Sequence, residues 1–201
     1  MKKVLLTAAS LCLFALPAAA GPSPYVGGSV GPGFFGNSDA TYSGVFSKDY
    51  MTYQTGVPFT LAVGLKSEAY RAEAAFGFQS HDVEQIKLNG IDQSSVSGYR
   101  VSMYSYMANG YYDIDLRYDS LMPYVMAGLG AARLHSREPA ISWDRTVFAW
   151  QVGAGVSVPA TRNITLDFAY RYFKPSSYDA GSATDISSFS HNFLLGGRYA
   201  F

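Results

Sequence analysis

Residues 146–173 decide the fold and read TVFAWQVGAGVSVPATRNITLDFAYRYF. From Thr146 to Val158 apolar side chains occupy every second position, and the alternation returns from Ile164 to Phe173. A period of two is typical of β-strands, because successive side chains of a strand point to opposite faces. Only the short link Pro159 to Asn163 separates the two segments, so this stretch predicts a β-hairpin.

The same alternation recurs along most of the chain. Phe59 to Lys66 and Tyr70 to Gln79 form a second predicted hairpin around a tight Ser67-Glu68 turn, and Ser190 to Phe201 is a further strand. Weaker strand segments are Tyr25 to Phe34, Tyr99 to Ile114 and Pro123 to Leu134. Together these segments predict eight strands, each long enough to cross a bilayer, which takes roughly 9 to 11 residues of tilted strand.

Sequence alone does not fix which face of the three weaker strands points outward. In the Tyr99 segment we expect the apolar set to point outward, namely Tyr104, Tyr106, Ala108, Tyr112 and Ile114. The alternate set then faces a polar interior and comprises Ser105, Asn109, Tyr111 and Asp113.

The links between the predicted strands alternate in length. The short ones are the turn near Ser67, Asp115 to Leu121, and Pro159 to Asn163. The long ones are Phe35 to Pro58, His81 to Gly98, Ser136 to Asp144 and Pro175 to Ser188. Short periplasmic turns with long extracellular loops are the pattern of outer-membrane barrels, and they predict periplasmic termini.

The first twenty residues have the features of an export signal. Lys2 and Lys3 precede an apolar stretch from Val4 to Leu16, and Ala18-Ala19-Ala20 supplies a cleavage site. The apolar stretch falls short of the roughly 20 residues that a membrane-spanning helix needs. We therefore expect a cleaved signal peptide at 1–20 and one barrel domain at 21–201; the single cysteine, Cys12, would leave with the signal.

Alternation alone does not distinguish a membrane barrel from a soluble one. The period is the same in both, and only the direction of the apolar face differs, outward in the membrane barrel and inward in the soluble one. On the more polar face of the clearest strands, nearly half of the positions are Gly or Ala, which suits a narrow lumen better than a solvated surface. Turning the charged positions of that face toward lipid would cost roughly 2 to 4 kcal/mol for each Arg near the midplane. The predicted polar network of the lumen comprises Lys66, Arg71, Glu73, Asn109, Gln151, Asp167, Arg171 and Arg198.

The carboxyl terminus carries the most specific motif. Phe193, Leu195, Gly197, Tyr199 and Phe201 alternate up to a terminal Phe, which resembles the assembly signal of bacterial outer-membrane proteins. The segments MANGYYD at 107–113 and PYVMAGLG at 123–130 are similar to the fourth and fifth strands of the opacity-type, surface-antigen family of eight-stranded barrels. This resemblance implies an all-β, up-and-down antiparallel barrel in the Gram-negative outer membrane, surrounded by lipid and lipopolysaccharide. It also implies insertion by the barrel-assembly machinery, which pairs with the edge of the last strand.

Two functions remain open for such a barrel. A monomeric surface or structural protein would fill its lumen with paired side chains and use its loops for adhesion or antigenic contact. A small-solute pore would use the same polar residues as a conduction path. The predicted network carries more basic than acidic residues, so a pore would prefer anions mildly.

Other classes are less well supported by the residues. An outer-membrane lipid-modifying enzyme would need a site around His191, since His81 and His135 lie at the ends of other strands, and the motif of the lipid A deacylases is missing. The three isolated histidines do not predict a metal site. No cofactor-binding motif is followed by a predicted helix. The formal net charge of zero does not favour binding to nucleic acid. A soluble secreted carrier remains the alternative outside the membrane.

Overall fold

The computed structural model describes residues 21–36, 38–42, 45–53, 55–88, 91–93, 100–116, 121–137, 143–180 and 183–201. The predicted signal peptide at 1–20 lies outside the described residues. Within them, the structure contains no helix that is long and apolar enough to cross a membrane.

Eight long antiparallel strands form the body of the molecule. They are β1 (Ser23–Val30), β2 (Phe59–Ser67), β3 (Tyr70–Leu88), β4 (Arg100–Asp113), β5 (Met122–Arg137), β6 (Trp143–Pro159), β7 (Ile164–Pro175) and β8 (Ser190–Ala200). Each strand pairs with its neighbour in sequence, and β8 pairs back with β1. The sheet is therefore a closed up-and-down barrel, which confirms the predicted fold class.

The two ends of the barrel differ in their connections. At the turn end, Glu68 and Ala69 join β2 to β3, and residues 160–163 join β6 to β7. The tight turn lies one residue later than predicted, because Ser67 still pairs with Tyr70 in the sheet. Glu68 adopts a φ of 50°, a left-handed conformation uncommon for residues other than glycine.

At the loop end, the predicted loops contain more strand structure than expected. Short strands lie at Gly33–Phe35, Ser38–Tyr42, Val45–Tyr53, Ile91–Gln93, Tyr178–Ala180 and Ala183–Ser187. The strand Ser38–Tyr42 pairs with both Val45–Tyr53 and Ala183–Ser187, and Val45–Tyr53 pairs with the far end of β3. Three of the four long links therefore join in one sheet, which we call the loop-end sheet. Within the link from Phe35 to Pro58, the side chains of Phe46, Tyr50, Met51 and Tyr53 lie outside the described part.

The outer wall of the barrel is apolar. Leu61, Leu129 and Phe168 are 51%, 60% and 54% exposed, as expected for side chains in contact with lipid. In β4 the exposed set is the predicted one, with Tyr104, Tyr106 and Tyr112 outward, while the alternate residues Ser105, Asn109 and Asp113 are buried. The alternation also settles β1 and β5, where Tyr25, Tyr124 and Met126 face the interior and Val26, Val125 and Leu129 face outward.

Candidate functional site

Asp113 organises the lumen near the turn end. Its Oδ1 accepts a hydrogen bond from Arg71 Nε at 2.9 Å, and Lys66 Nζ lies 3.1 Å from its Oδ2. Arg71 and Asp113 are only 4% and 7% exposed. Burial of two charges is tolerated when they pair and hydrogen-bond in this way. Sequence alternation placed Asp113 in the interior but did not indicate that two of the predicted network residues meet on it.

A second group of polar contacts is centred on Glu73. Its carboxylate accepts hydrogen bonds from the hydroxyls of Tyr111 at 2.9 Å and Tyr25 at 3.1 Å, and from Asn109 Nδ2 at 3.3 Å. Gln151 Nε2 in turn donates to Asn109 Oδ1 at 2.6 Å. This chain of hydrogen bonds runs along the inner wall from β3 to β4 and crosses over β5 to reach β6.

Gly128 makes this crossing possible. It lies on β5 between Asn109 and Gln151 in the strand register. A Cβ atom at this position would lie 2.1 Å from Asn109 Oδ1, so any larger residue would displace the amide. The small residues on the inward face thus provide room for a few long polar side chains, as their sequence pattern suggested.

The third group of polar contacts connects β6, β7 and β8 on the opposite side of the lumen. Arg198 Nε donates to Asp167 Oδ2 at 2.6 Å, and Arg198 Nη2 donates to Ser157 Oγ at 2.8 Å. Ser157 Oγ donates to Asp167 Oδ1 at 2.6 Å, which closes the group. Arg171 stands apart, because the hydrogen bond that the structure gives it runs from Nη1 to Thr60 Oγ1 at 3.3 Å.

Aromatic rings complete the polar half of the lumen. The Arg71 guanidinium lies over the rings of Tyr111 and Tyr124, with its Cζ 4.3 Å and 4.6 Å from the two centroids. Arg198 Cζ lies 5.6 Å from the Tyr25 centroid. Cation–π contacts of this kind offset part of the lost hydration of a buried guanidinium. The polar network predicted from the sequence did not include Tyr25 or Tyr124. Because their neighbours Val26 and Val125 point outward, alternation could have placed both tyrosines inside.

Toward the loop end, the lumen changes character. A cluster of apolar side chains lies there, next to buried polar ones such as Gln79, Ser190 and Asn192. The buried members of the cluster are Ala75, Met103, Met107, Ala132, Leu134, Ala149 and Phe173. Met103 and Leu134 are each 1% exposed. The sequence predicted polar residues along the lumen and did not indicate this apolar cluster, which we call the apolar plug.

A small cavity remains within the polar half. It holds about 50 Å³ and is lined by Thr60, Arg71, Glu73, Asp167, Arg171 and Arg198 among others. Since a single water needs roughly 10 to 15 Å³ of such space, the cavity has room for a few water molecules.

The residues of the predicted assembly signal lie on the outer wall. Phe193, Leu195, Tyr199 and Phe201 are all exposed there, on the β8 face that points away from the lumen. Phe193 contacts the ring of Tyr170, and Tyr199 contacts the ring of Phe201.

His191 lies in an aromatic cluster on the same outer wall. Its Nδ1 shares a hydrogen bond with the Tyr170 hydroxyl at 2.6 Å, and its ring contacts Tyr172 and Phe189. The adjacent Ser190 is fully buried in the lumen, because alternation places neighbouring residues of a strand on opposite faces. His135 stands near the loop end of β5, and the side chain of His81 lies outside the described part. No cluster of three potential metal ligands occurs among the described residues.

Comparison with known proteins places the chain among bacterial outer-membrane barrels. A family model described as "Outer membrane protein beta-barrel domain" matches residues 5–201. The outer membrane protein PagN of Salmonella typhimurium is 31% identical over 127 residues, which are 51% of this chain and 51% of PagN. The match therefore spans about half the length of that relative.

Two solved structures resemble the whole barrel. Neisserial surface protein A superposes with a TM-score of 0.61 at 19% identity, covering 92% of this chain and 100% of that one. OprG of Pseudomonas aeruginosa gives a TM-score of 0.58 at 12% identity, covering 89% and 96%. At these identities the likeness concerns the fold alone.

Proposed function

Because the chain belongs to the family of outer-membrane-protein β-barrel domains, we propose that it is a monomeric surface protein whose lumen is sealed by its own side chains. In this proposal the loop end faces the outside of a Gram-negative cell and provides the contacts of an adhesin or surface antigen. The turn end and both termini face the periplasm.

The burial of inward side chains along the lumen is the observation that carries this proposal. Ion pairs and hydrogen bonds join them in the polar half, and the apolar plug lies toward the loop end. An apolar constriction excludes ions, because an ion would lose its hydration there without gaining polar contacts. A barrel built in this way is suited to presenting its loop end rather than to conducting solutes.

The relative PagN is named as an outer-membrane protein, which agrees with the proposed location. The loop-end sheet supports the proposed surface role, since paired strands hold a contact surface in a more defined shape than single loops would.

Solute flux through liposomes tests the seal. The refolded protein, residues 21–201, is expected to show no flux of small ions above protein-free liposomes, while a boiled-versus-unboiled gel shift confirms that the barrel is folded. Met103→Ala combined with Leu134→Ala removes two fully buried side chains of the apolar plug and is expected to permit flux. Leu129→Ala, on the outer wall, is the matched control and should remain sealed. Flux through the folded wild-type protein would contradict the proposal.

A small-solute channel is the second candidate, and the cavity favours it. Arg71, Arg171 and Arg198 line this space against Glu73 and Asp167. If the wild-type barrel conducts, the surplus of arginines over carboxylates predicts a mild preference for anions. Arg171→Gln is expected to reduce this preference. A cation-selective reversal potential would exclude this reading of the lumen.

Orientation can be tested separately on whole cells. Ser176 is exposed at the loop end and Ala160 is exposed at the turn end. A membrane-impermeant thiol reagent is expected to label Ser176→Cys on intact cells, whereas Ala160→Cys should react only after the outer membrane is opened. The reverse pattern would mean that the loop end faces the periplasm.

We propose no catalytic role for His191. Its described partners are the hydroxyl and rings of aromatic residues, and Ser190 lies on the other side of the sheet wall. We also propose that Phe193, Leu195, Tyr199 and Phe201 act during assembly, where the barrel-assembly machinery would pair with the edge of β8.

A further inference from the structure

Arg171 extends into the lumen without meeting a carboxylate. It is half-buried on β7, and its Nη1 donates to Thr60 Oγ1 of β2 at 3.3 Å, which is long for a hydrogen bond. A guanidinium has five N–H donors and stays charged at any pH at which proteins are folded. Among the described residues, no carboxylate lies within ion-pair distance of Arg171. Most of its donors are therefore available to another acceptor.

The other inward cations have carboxylate partners. The ion pairs are those of Lys66 and Arg71 with Asp113 and that of Arg198 with Asp167. Glu73, the remaining described carboxylate of the lumen, accepts its hydrogen bonds from neutral tyrosine and asparagine side chains. A charge that leaves water is costly unless it is paired. Among the described side chains of the lumen, Arg171 is therefore the cation that lacks a compensating charge.

The small cavity of the polar half lies against Arg171. Thr60, Ala62, Ala169 and Gly196 line it together with Arg171, so small side chains leave the space beside the guanidinium open. Its volume of about 50 Å³ exceeds the roughly 10 to 15 Å³ that one water needs. A halide ion is only slightly larger than a water molecule. The cavity therefore has room for one halide ion together with water.

We infer that this cavity binds a small monovalent anion such as chloride, with Arg171 as its main ligand. The guanidinium supplies charge-assisted N–H donors, which bind anions more strongly than neutral donors do. Arg71 and Arg198 line the same cavity and add positive potential, although each also faces its own carboxylate. Binding at this site does not depend on what the loop end contacts or on which way it faces.

The carboxylates along the cavity set its selectivity. Glu73 and Asp167 face the same space, so they repel an anion with two charges more strongly than one with a single charge. The arginines of the lining outnumber these carboxylates, which disfavours a cation. The limited volume excludes large organic anions such as gluconate. We therefore expect chloride and bromide to bind, and sulfate and gluconate not to bind.

The chloride dependence of stability tests this site. A ligand that binds only the folded state stabilises it increasingly as the ligand concentration rises above the dissociation constant. We expect the urea midpoint of the barrel in lipid vesicles, followed by tryptophan fluorescence, to be higher in sodium chloride than in sodium gluconate at equal ionic strength. Arg171→Gln is expected to lose this difference. Arg133→Gln removes the same charge from an exposed ion pair with Asp144 on the outer wall and should keep it.

A second variant leaves the arginine in place. Ala169→Val fills part of the cavity and should also lose the chloride effect, so it serves as the test if the gel shift shows that Arg171→Gln does not fold. Crystals grown in bromide are expected to show anomalous scattering beside the Arg171 guanidinium. A chloride effect that persists in either folded variant would overturn the anion site. So would an effect that follows the cation of the salt, or the lack of a bromide peak beside Arg171.

Discussion

Asp113→Ala is expected to lower the free energy of unfolding by about 3 to 5 kcal/mol, the usual cost of removing one partner from a buried ion pair. The substitution leaves the Arg71 guanidinium buried against Tyr111 and Tyr124 without its carboxylate. Lys66 loses the same partner but is 36% exposed, so water can hydrate it. Urea titration of the barrel in lipid vesicles, followed by the fluorescence of Trp143 and Trp150, measures the change.

Asp144→Ala is the matched control for this experiment. It removes the same carboxylate from an exposed pair, and only a small loss is expected there because water screens the charges. Replacing Arg71 and Asp113 together by leucine should recover much of the loss, because no buried charge is then left alone. Equal, small losses in the two aspartate variants would mean that water fills the turn end of the lumen and screens its charges.

Val63→Arg is expected to lower the free energy of unfolding by about 2 to 4 kcal/mol, the cost of an arginine on the lipid face near the bilayer midplane. Val63 is 41% exposed on the outer wall and lies halfway along β2. The same titration measures the effect, provided that the protein is folded in a bilayer.

Ser67→Arg supplies the depth control for this prediction. It introduces the same charge at the turn end of the same strand, where a cost of about 0 to 1 kcal/mol is expected. If the two arginines cost the same, the outer wall around Val63 does not face hydrocarbon, and the membrane placement of β2 would be wrong.

Local alternation predicted the barrel strands well, because their two faces meet such different surroundings. The outward tyrosines of β4 and the pairing of β6 with β7 both followed from a period of two. The ion pairs of Lys66 and Arg71 with Asp113 did not follow from it. Contacts between inward side chains depend on the stagger between strands, which alternation does not encode.

The apolar plug was missed for a related reason. Met103, Leu134 and Phe173 belong to three different strands, and each strand alone presents a mixture of polar and apolar inward residues. Only the closed sheet brings the apolar ones to the same level. The strands within the long links were also missed, because their pairing partners lie far away in the sequence.

The loop-end sheet has a consequence for where the chain tolerates inserted sequence. An epitope tag placed within Ser38–Tyr42 would disturb backbone hydrogen bonds to both Val45–Tyr53 and Ala183–Ser187. The link between Arg137 and Trp143 joins two strands that already pair with each other, so an insertion there lengthens a single hairpin. This link is therefore the place of choice for displaying a foreign peptide on the barrel.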